Sequence, residues 1–190
     1  MIIITFIITA IVIAFDQISK YYIRTNMSVG ESFNFIPGFL NIRYIENAGA
    51  SFGILAEHRW VFMSFSTIAI ILMVGAVFYL NKKDLKKYNR LASIALGLML
   101  GGGVGNMIDR TFNVSEVREG VRVVVDFLEF DFVNFAIFNI ADVFITVGAA
   151  LFFVCILAGK YKTHDKKEQA EEIEELNGVL DISEDTGENL

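Results

Sequence analysis

Apolar residues in this chain are gathered into long uncharged runs rather than spaced at the three-to-four-residue interval of a water-facing helix. Crossing a bilayer takes about 20 apolar residues, each rising about 1.5 Å. Four stretches of that order occur, over about residues 2–22, 60–80, 91–108 and 136–159. The first contains Asp16 and Lys20, and the second has no charge. The third is glycine-rich and ends at Asp109 and Arg110, and the fourth contains Asp142 alone. The first run lacks a basic leader, and Asp16-Gln17 stands where small residues would mark a cleavage site. It is therefore read as a retained helix.

The connections differ in kind. Residues 81–90 hold five cations, Lys82, Lys83, Lys86, Lys87 and Arg90, and four lysines follow the fourth run. The connections 25–59 and 111–135 are poor in cations, so both termini and the middle loop are expected in the cytoplasm. The two longer loops then face outward, and they carry strand signals. Phe33-Asn34-Phe35 and Ile42 to Ile45 flank Pro37-Gly38, and Val121 to Val125 is β-branched. The pattern predicts an all-α membrane bundle of four transmembrane helices with a small extracytoplasmic β-sheet. A weaker expectation is a surface-lying amphipathic turn after Gly53.

Composition fits this picture: 54% of the 190 residues are hydrophobic and 20% charged. A soluble two-domain enzyme is excluded by that balance. The net charge of −6 misleads, because residues 1–163 carry 14 Lys and Arg against 12 Asp and Glu, whereas 164–190 carry 2 against 10. The acidic end, 164–190, reads as a cytoplasmic tail, disordered or a solvated helix, attached to a membrane domain of residues 1–163. The single Cys155 forms no internal disulfide. His58 and His164 lack metal-ligand spacing, so neither a metal nor a cofactor is expected, and nothing points to nucleic acid.

Carboxylates inside a membrane cost at least about 2.5 kcal/mol each near the helix centre, so their depth is informative. Asp16 lies about 21 Å along an outward-running helix, and Asp109 about 27 Å along another. Asp142 lies about 9 Å below the outer entry of the fourth helix, and Asp126 sits in the outer loop just ahead of it. Four carboxylates from separate segments thus reach one outer layer. Asn106 and Asp109, like Asn139 and Asp142, stand at i and i+3 on one helical face. Asp16 has Lys20 at i+4, and Asp109 has Arg110 beside it. Asp142 has no cation within four residues on its helix, and Arg122 is held about 13 Å from Asp126 by a strand. Two such carboxylates remain in a poorly hydrated site most cheaply by sharing a proton, one serving as base toward water and the other as acid.

Helix packing is the competing explanation. It is preferred for Asp16, Lys20, Asp109 and Arg110. For Asn106 and Asn139, orienting carboxylates and binding substrate backbone both stand, and for Asp126 and Asp142 catalysis is preferred. A non-enzymatic proton relay or transporter is the rival, although a relay should reach both faces and the cytoplasmic halves of the runs lack ionisable residues. A membrane scaffold would explain the glycines but not the two aspartates. Gly49 to Gly53 matches the G-x-S-x-G nucleophile pattern without its strand–turn–helix setting or histidine. Gly101 to Gly105 resembles a phosphate loop but lacks the GK[ST] ending. Gly97, Gly101 and Gly105 read instead as a close helix-packing face. Tyr21, Tyr22, Trp60 and Tyr79 read as interfacial anchors. Phe127, Phe130, Phe132 and Phe135 either rim an entrance for an acyl chain or signal helix, or simply pack.

Five ordered motifs resemble bacterial lipoprotein signal peptidase, or signal peptidase II. They are Asp16-Gln17-Ile18-Ser19-Lys20, Asn47 to Gly53, Gly102 to Arg110, Val125-Asp126-Phe127 and Phe138 to Asp142. The resemblance spans the body from the first run to the fourth. It implies an aspartyl dyad of Asp126 and Asp142, with supporting or substrate-contact roles for Asp16, Lys20, Asn47, Gly49, Asn106, Asp109, Arg110 and Asn139. It further implies four helices with an extracytoplasmic β-cradle in the bacterial cytoplasmic membrane. The partners it implies are diacylglyceryl-prolipoproteins, cut just before the lipidated cysteine by a monomer among membrane lipids, and the inhibitor is globomycin. The 15-residue loop Thr111–Val125 and the acidic tail go beyond the family pattern.

Overall fold

The computed structural model describes residues 2–49, 59–82 and 89–157. The turn expected after Gly53, most of the G-x-S-x-G stretch and the acidic tail lie outside these residues. In chain order the elements are α1 (Ile2–Asn26), β1 (Ser32–Ile36), β2 (Leu40–Asn47), α2 (Arg59–Lys82), α3 (Asn89–Phe112) and β3 (Val124–Phe130). They are followed by α4 (Ile140–Leu157). All four helices are long and apolar enough to cross a membrane. The chain is a multi-pass membrane protein. Residues 1–152 form one compact unit, and a second begins at Phe153.

Within the first unit, α3 is central: half of its apolar window is buried, against 6–17% in the other three helices. Its glycines explain why. A Cβ on Gly97 would meet Thr5 O at 2.9 Å, and one on Gly101 would meet Val12 Cβ at 2.5 Å. The glycine face therefore lets α1 approach at backbone distance, as its four-residue spacing predicted. Thr5 and Thr9 donate across this contact to Ser93 O and Gly97 O, both at 3.2 Å. On its α2 side, α3 packs through Leu96 and Leu100 against Val77 and Met73.

The three strands form one antiparallel sheet in the order β1-β2-β3. The turn between β1 and β2 uses Pro37 and Gly38, the latter at φ 74°, where a side chain would be strained. Ile42, Tyr44, Val125 and Phe127 pack with Ile23 of α1 on the buried side of the sheet. Phe127 thus belongs to the core and not to a rim.

Three boundaries differ from the sequence expectation. The third strand starts at Val124 rather than Val121, because Val123 N donates back to Asn113 O at 3.0 Å and keeps that segment in a looped excursion. Asp126 lies in this strand, within the connection between α3 and α4 where it was expected. Helix α3 runs on to Phe112, which places Asp109 and Arg110 within its last turns. Helix α4 starts at Ile140 and not Ala136, since Phe138 pairs with β3 through an isolated bridge to Leu128.

Candidate active site

The late start of α4 changes the meaning of Asn139 and Asp142. Asn139 is the residue before the helix: its Oδ1 accepts from Asp142 N at 3.1 Å, and Asp142 Oδ2 accepts from Asn139 N at 3.1 Å. This reciprocal pair is a capping box, which satisfies two orphan donors of the first turn. Asp142 therefore sits in the first turn of α4 and not about 9 Å down it, and the helix N-terminus offsets its negative charge.

The same Asn139 reaches the sheet. Its Nδ2 donates to Asp126 Oδ1 at 2.6 Å and to Asn106 Oδ1 at 3.0 Å. Asn106 in turn donates to Asp142 Oδ1 at 2.8 Å. The other Asp126 oxygen accepts from Asn47 Nδ2 at 2.8 Å, and Asn47 Oδ1 accepts from Gly49 N at 2.8 Å. Gly49 makes that turn at φ 101°, a conformation that disfavours any side chain. Asn139 and Asn106 thus tie the two carboxylates together, and Asn47 holds Asp126 from the sheet.

Both carboxylates open on one cavity of about 540 Å³, shared with Asn47, Asn106, Arg110 and Asn139 and extending along α4 to Val147. Phe130 and Phe135 form part of its wall, the rim alternative of the two readings of these aromatics. Phe132 instead lines a neighbouring cavity. Asp126 is 2% exposed. Burial raises its pKa from the usual 3.8 to about 7; Asp142 adds to the rise, and the Asn47 and Asn139 donors oppose it.

Behind the cavity lies an ion cluster. Lys20 Nζ stands 2.8 Å from both Asp16 Oδ2 and Asp109 Oδ2, with all three side chains 2% exposed or less. Lys20 also donates to Asn106 Oδ1 at 2.9 Å, which links this cluster to the site. Asp16 Oδ1 accepts from Ala141 N at 3.0 Å, so α1 holds the start of α4. The pairing of Asp16 with Lys20 is as the spacing predicted. That of Asp109 with its neighbour Arg110 is not, because adjacent helical residues point to different faces. Arg110 lines the cavity beside Asp126 and Asp142, and its Nη1 donates to Asn106 O at 3.4 Å. It closes no ion pair with them among the described residues.

Sequence reasoning missed Gln17, whose Nε2 lies 3.1 Å from Asp16 Oδ2, 3.1 Å from Asp109 Oδ1 and 3.2 Å from Gly105 O. Its position inside a charged apolar helix, next to Asp16, was the available signal. Asn113 was missed too: it donates to Asp109 Oδ1 at 2.9 Å from one turn further along.

Comparison with known proteins accords with this geometry. A family model described as Signal peptidase (SPase) II matches residues 8–158. Lipoprotein signal peptidase from Streptococcus pyogenes serotype M1 is 37% identical over 147 residues, covering 77% of this chain and 88% of the relative. The counterpart from serotype M5 (strain Manfredo) matches to the same extent. A bacterial membrane enzyme solved by the in meso method at 2.3 Å superposes with TM-score 0.65 at 37% identity, covering 82% of this chain and 88% of that one. A second such structure, at 1.9 Å, gives TM-score 0.64. The chain belongs to the signal peptidase II family and is a membrane peptidase that cleaves signal peptides.

Proposed function

We propose that this peptidase is of the aspartic type and acts on prolipoproteins whose cysteine carries diacylglycerol, cutting just before that residue. The observation that carries the reading is the bridging of Asp126 and Asp142 by Asn139 at the head of one cavity. A carboxyl with a pKa of about 7 beside a carboxylate held at a helix N-terminus is an acid–base couple. Asp142 takes a proton from water, whose oxygen attacks the carbonyl carbon before the cysteine. Asp126 gives its proton to the developing oxyanion. As the intermediate collapses, the carbon–nitrogen bond breaks, the proton acquired by Asp142 passes to the leaving amine, and a hydroxyl proton of the intermediate returns to Asp126, restoring the starting dyad. No covalent intermediate, metal or cofactor is required.

Asn47, Gly49, Asn106 and Asn139 hold the dyad. Asp16, Lys20 and Asp109 fix the helices behind it, and Arg110 supplies positive charge toward the scissile carbonyl. The apolar extension of the cavity along Val143 and Val147 suits a signal helix or acyl chain. Residues 1–163 form the peptidase domain and 164–190 a cytoplasmic tail. Both termini lie in the cytoplasm and the site on the outer side of the bacterial cytoplasmic membrane, a placement supported by the cations of the middle connection. The same reading makes the enzyme a monomer sensitive to globomycin. Family membership favours it over a proton relay.

The test is cleavage of a purified diacylglyceryl-prolipoprotein, mapped by mass spectrometry, with wild type and with folded Asp126→Asn and Asp142→Asn. Cleavage before the lipidated cysteine, lost in both variants, supports the reading. Near-full activity in either variant refutes the dyad.

A further inference from the structure

A second cavity of about 370 Å³ adjoins the first and differs from it in character. It is walled by Asn41, Glu129, Asp131 and Asn134, and it shares Phe130 and Phe135 with the dyad cavity. Those two rings lie 6.0 Å apart, so a chain leaving the dyad past them enters polar surroundings. Asn41 and Glu129 are register partners on neighbouring strands, and Asn34 lies opposite Asn41 on the other side, giving one cross-strand polar row.

The polar groups are unevenly matched. Asn41 Nδ2 donates to Asp131 Oδ1 at 3.1 Å, whereas Asn41 Oδ1 is buried with no hydrogen-bond partner among the described residues. Glu129 is neutralised by Arg43 at 3.0 Å, but Asp131 forms no ion pair among the described residues. Asn41 Oδ1 is covered, so what the cavity offers is the Asp131 carboxylate, held by Asn41 Nδ2 and without a cation partner among the described residues. The turn bearing Asp131 is fixed by its N–H to Phe39 O at 3.0 Å, so the site is held in place.

The two cavities also lie in different directions from the dyad. One follows α4 to Val147, along a helix apolar enough to cross the membrane, and the other opens over the sheet. A substrate with an apolar signal helix on one side of the scissile bond and a polar mature segment on the other fits that division. We propose that the polar cavity is a subsite for the first few residues of the mature polypeptide after the scissile bond, and that Asp131, oriented by Asn41, makes it prefer a cationic side chain there. This rests on the peptidase reading above.

The test uses the full-length protein in detergent and two lipidated substrates that are identical except for Lys or Glu three residues after the lipidated cysteine. Wild type is expected to cleave the Lys substrate with about fivefold higher kcat/KM, the scale of one partly exposed charge pair. Asp131→Asn should collapse that ratio toward one, by slowing the Lys substrate and sparing the Glu substrate its repulsion. Asn41→Ser, which removes the donor that orients Asp131, should lower the ratio without reversing it. Glu119→Gln, an equal charge change on the exposed loop after α3, should leave the ratio intact. Equal cleavage of the two substrates by wild type, or a ratio that survives Asp131→Asn, overturns the subsite. Failure to cleave either substrate would refute the lipidated-substrate reading instead, and cleavage that survives Asp126→Asn would refute the dyad.

Discussion

Asn139 Nδ2 lies 2.6 Å from Asp126 Oδ1 while the same residue caps the helix that carries Asp142. One side chain thus ends a loop, starts a helix and orients both acidic groups. The local geometry of α4 and the chemistry of the site depend on the same three polar atoms.

Asn139→Ala is therefore expected to have two separable effects. Loss of the cap should cost about 0.5–2 kcal/mol of stability. Loss of the bridge should reduce kcat by more than that cost explains, on the order of a hundredfold, as for removal of other positioned polar donors. Thermal unfolding and single-turnover cleavage, measured on the same preparation, check the pair. Equal kcat with a lowered melting temperature would show that Asn139 only caps.

Asp126 gives the pH dependence its sign. Its pKa of about 7 lies above the ordinary 3.8, so the folded state holds a proton that the unfolded chain has lost between those values. Stability from this group is present below about pH 4 and falls as pH rises toward 7. Activity, which needs the proton on Asp126, should fall through an alkaline limb near pH 7. Asp126→Asn should be inactive and yet more stable than wild type at pH 8, by up to about 4 kcal/mol on single-group linkage. Melting curves at pH 5 and pH 8 decide it: a variant no more stable at pH 8 contradicts the assignment.

Gly105 is placed so that a Cβ would collide with the Asp16 carboxylate. Gly105→Ala should push Asp16 off Lys20 and Gln17, destabilising the protein by about 1–3 kcal/mol. Gly75→Ala is the control, since nothing lies within 4 Å of a Cβ there. Thermal unfolding in detergent separates the two, and equal melting temperatures would remove the packing argument.

Lys20→Met should be the most damaging single change behind the site. It leaves Asp16 and Asp109 buried without their shared cation, a loss of about 3–5 kcal/mol. The triple variant Lys20→Met, Asp16→Asn, Asp109→Asn removes all three charges and should regain much of that stability. Expression yield and melting temperature of the single and triple variants measure this, and a triple variant as unstable as the single one would speak against charge burial as the cause.

Much of this architecture is legible in the sequence because a membrane imposes a simple length rule. Four apolar runs, the glycine face of α3, the β1–β2 turn at Pro37-Gly38 and the Asp16–Lys20 pair all follow from local spacing. The convergence of carboxylates at one level also followed, since depth along a helix is arithmetic. The depth of Asp142 was misjudged because apolar content does not mark where a helix begins. The cap does, and Asn139 with Asp142 at three residues was the signal for it.

The sequence by itself thus determined which residues enter the membrane and which polar groups are costly enough there to need partners. Only the tertiary structure decided who those partners are. Lys20 joins Asp109 from another helix, Arg110 lines the cavity on which Asp126 opens, and Asn41 on β2 meets the turn after β3. The first and last of these join residues about 90 positions apart, and their geometry depends on how closely glycine lets helices approach and how strands register. Neither quantity is written in the spacing of any one segment.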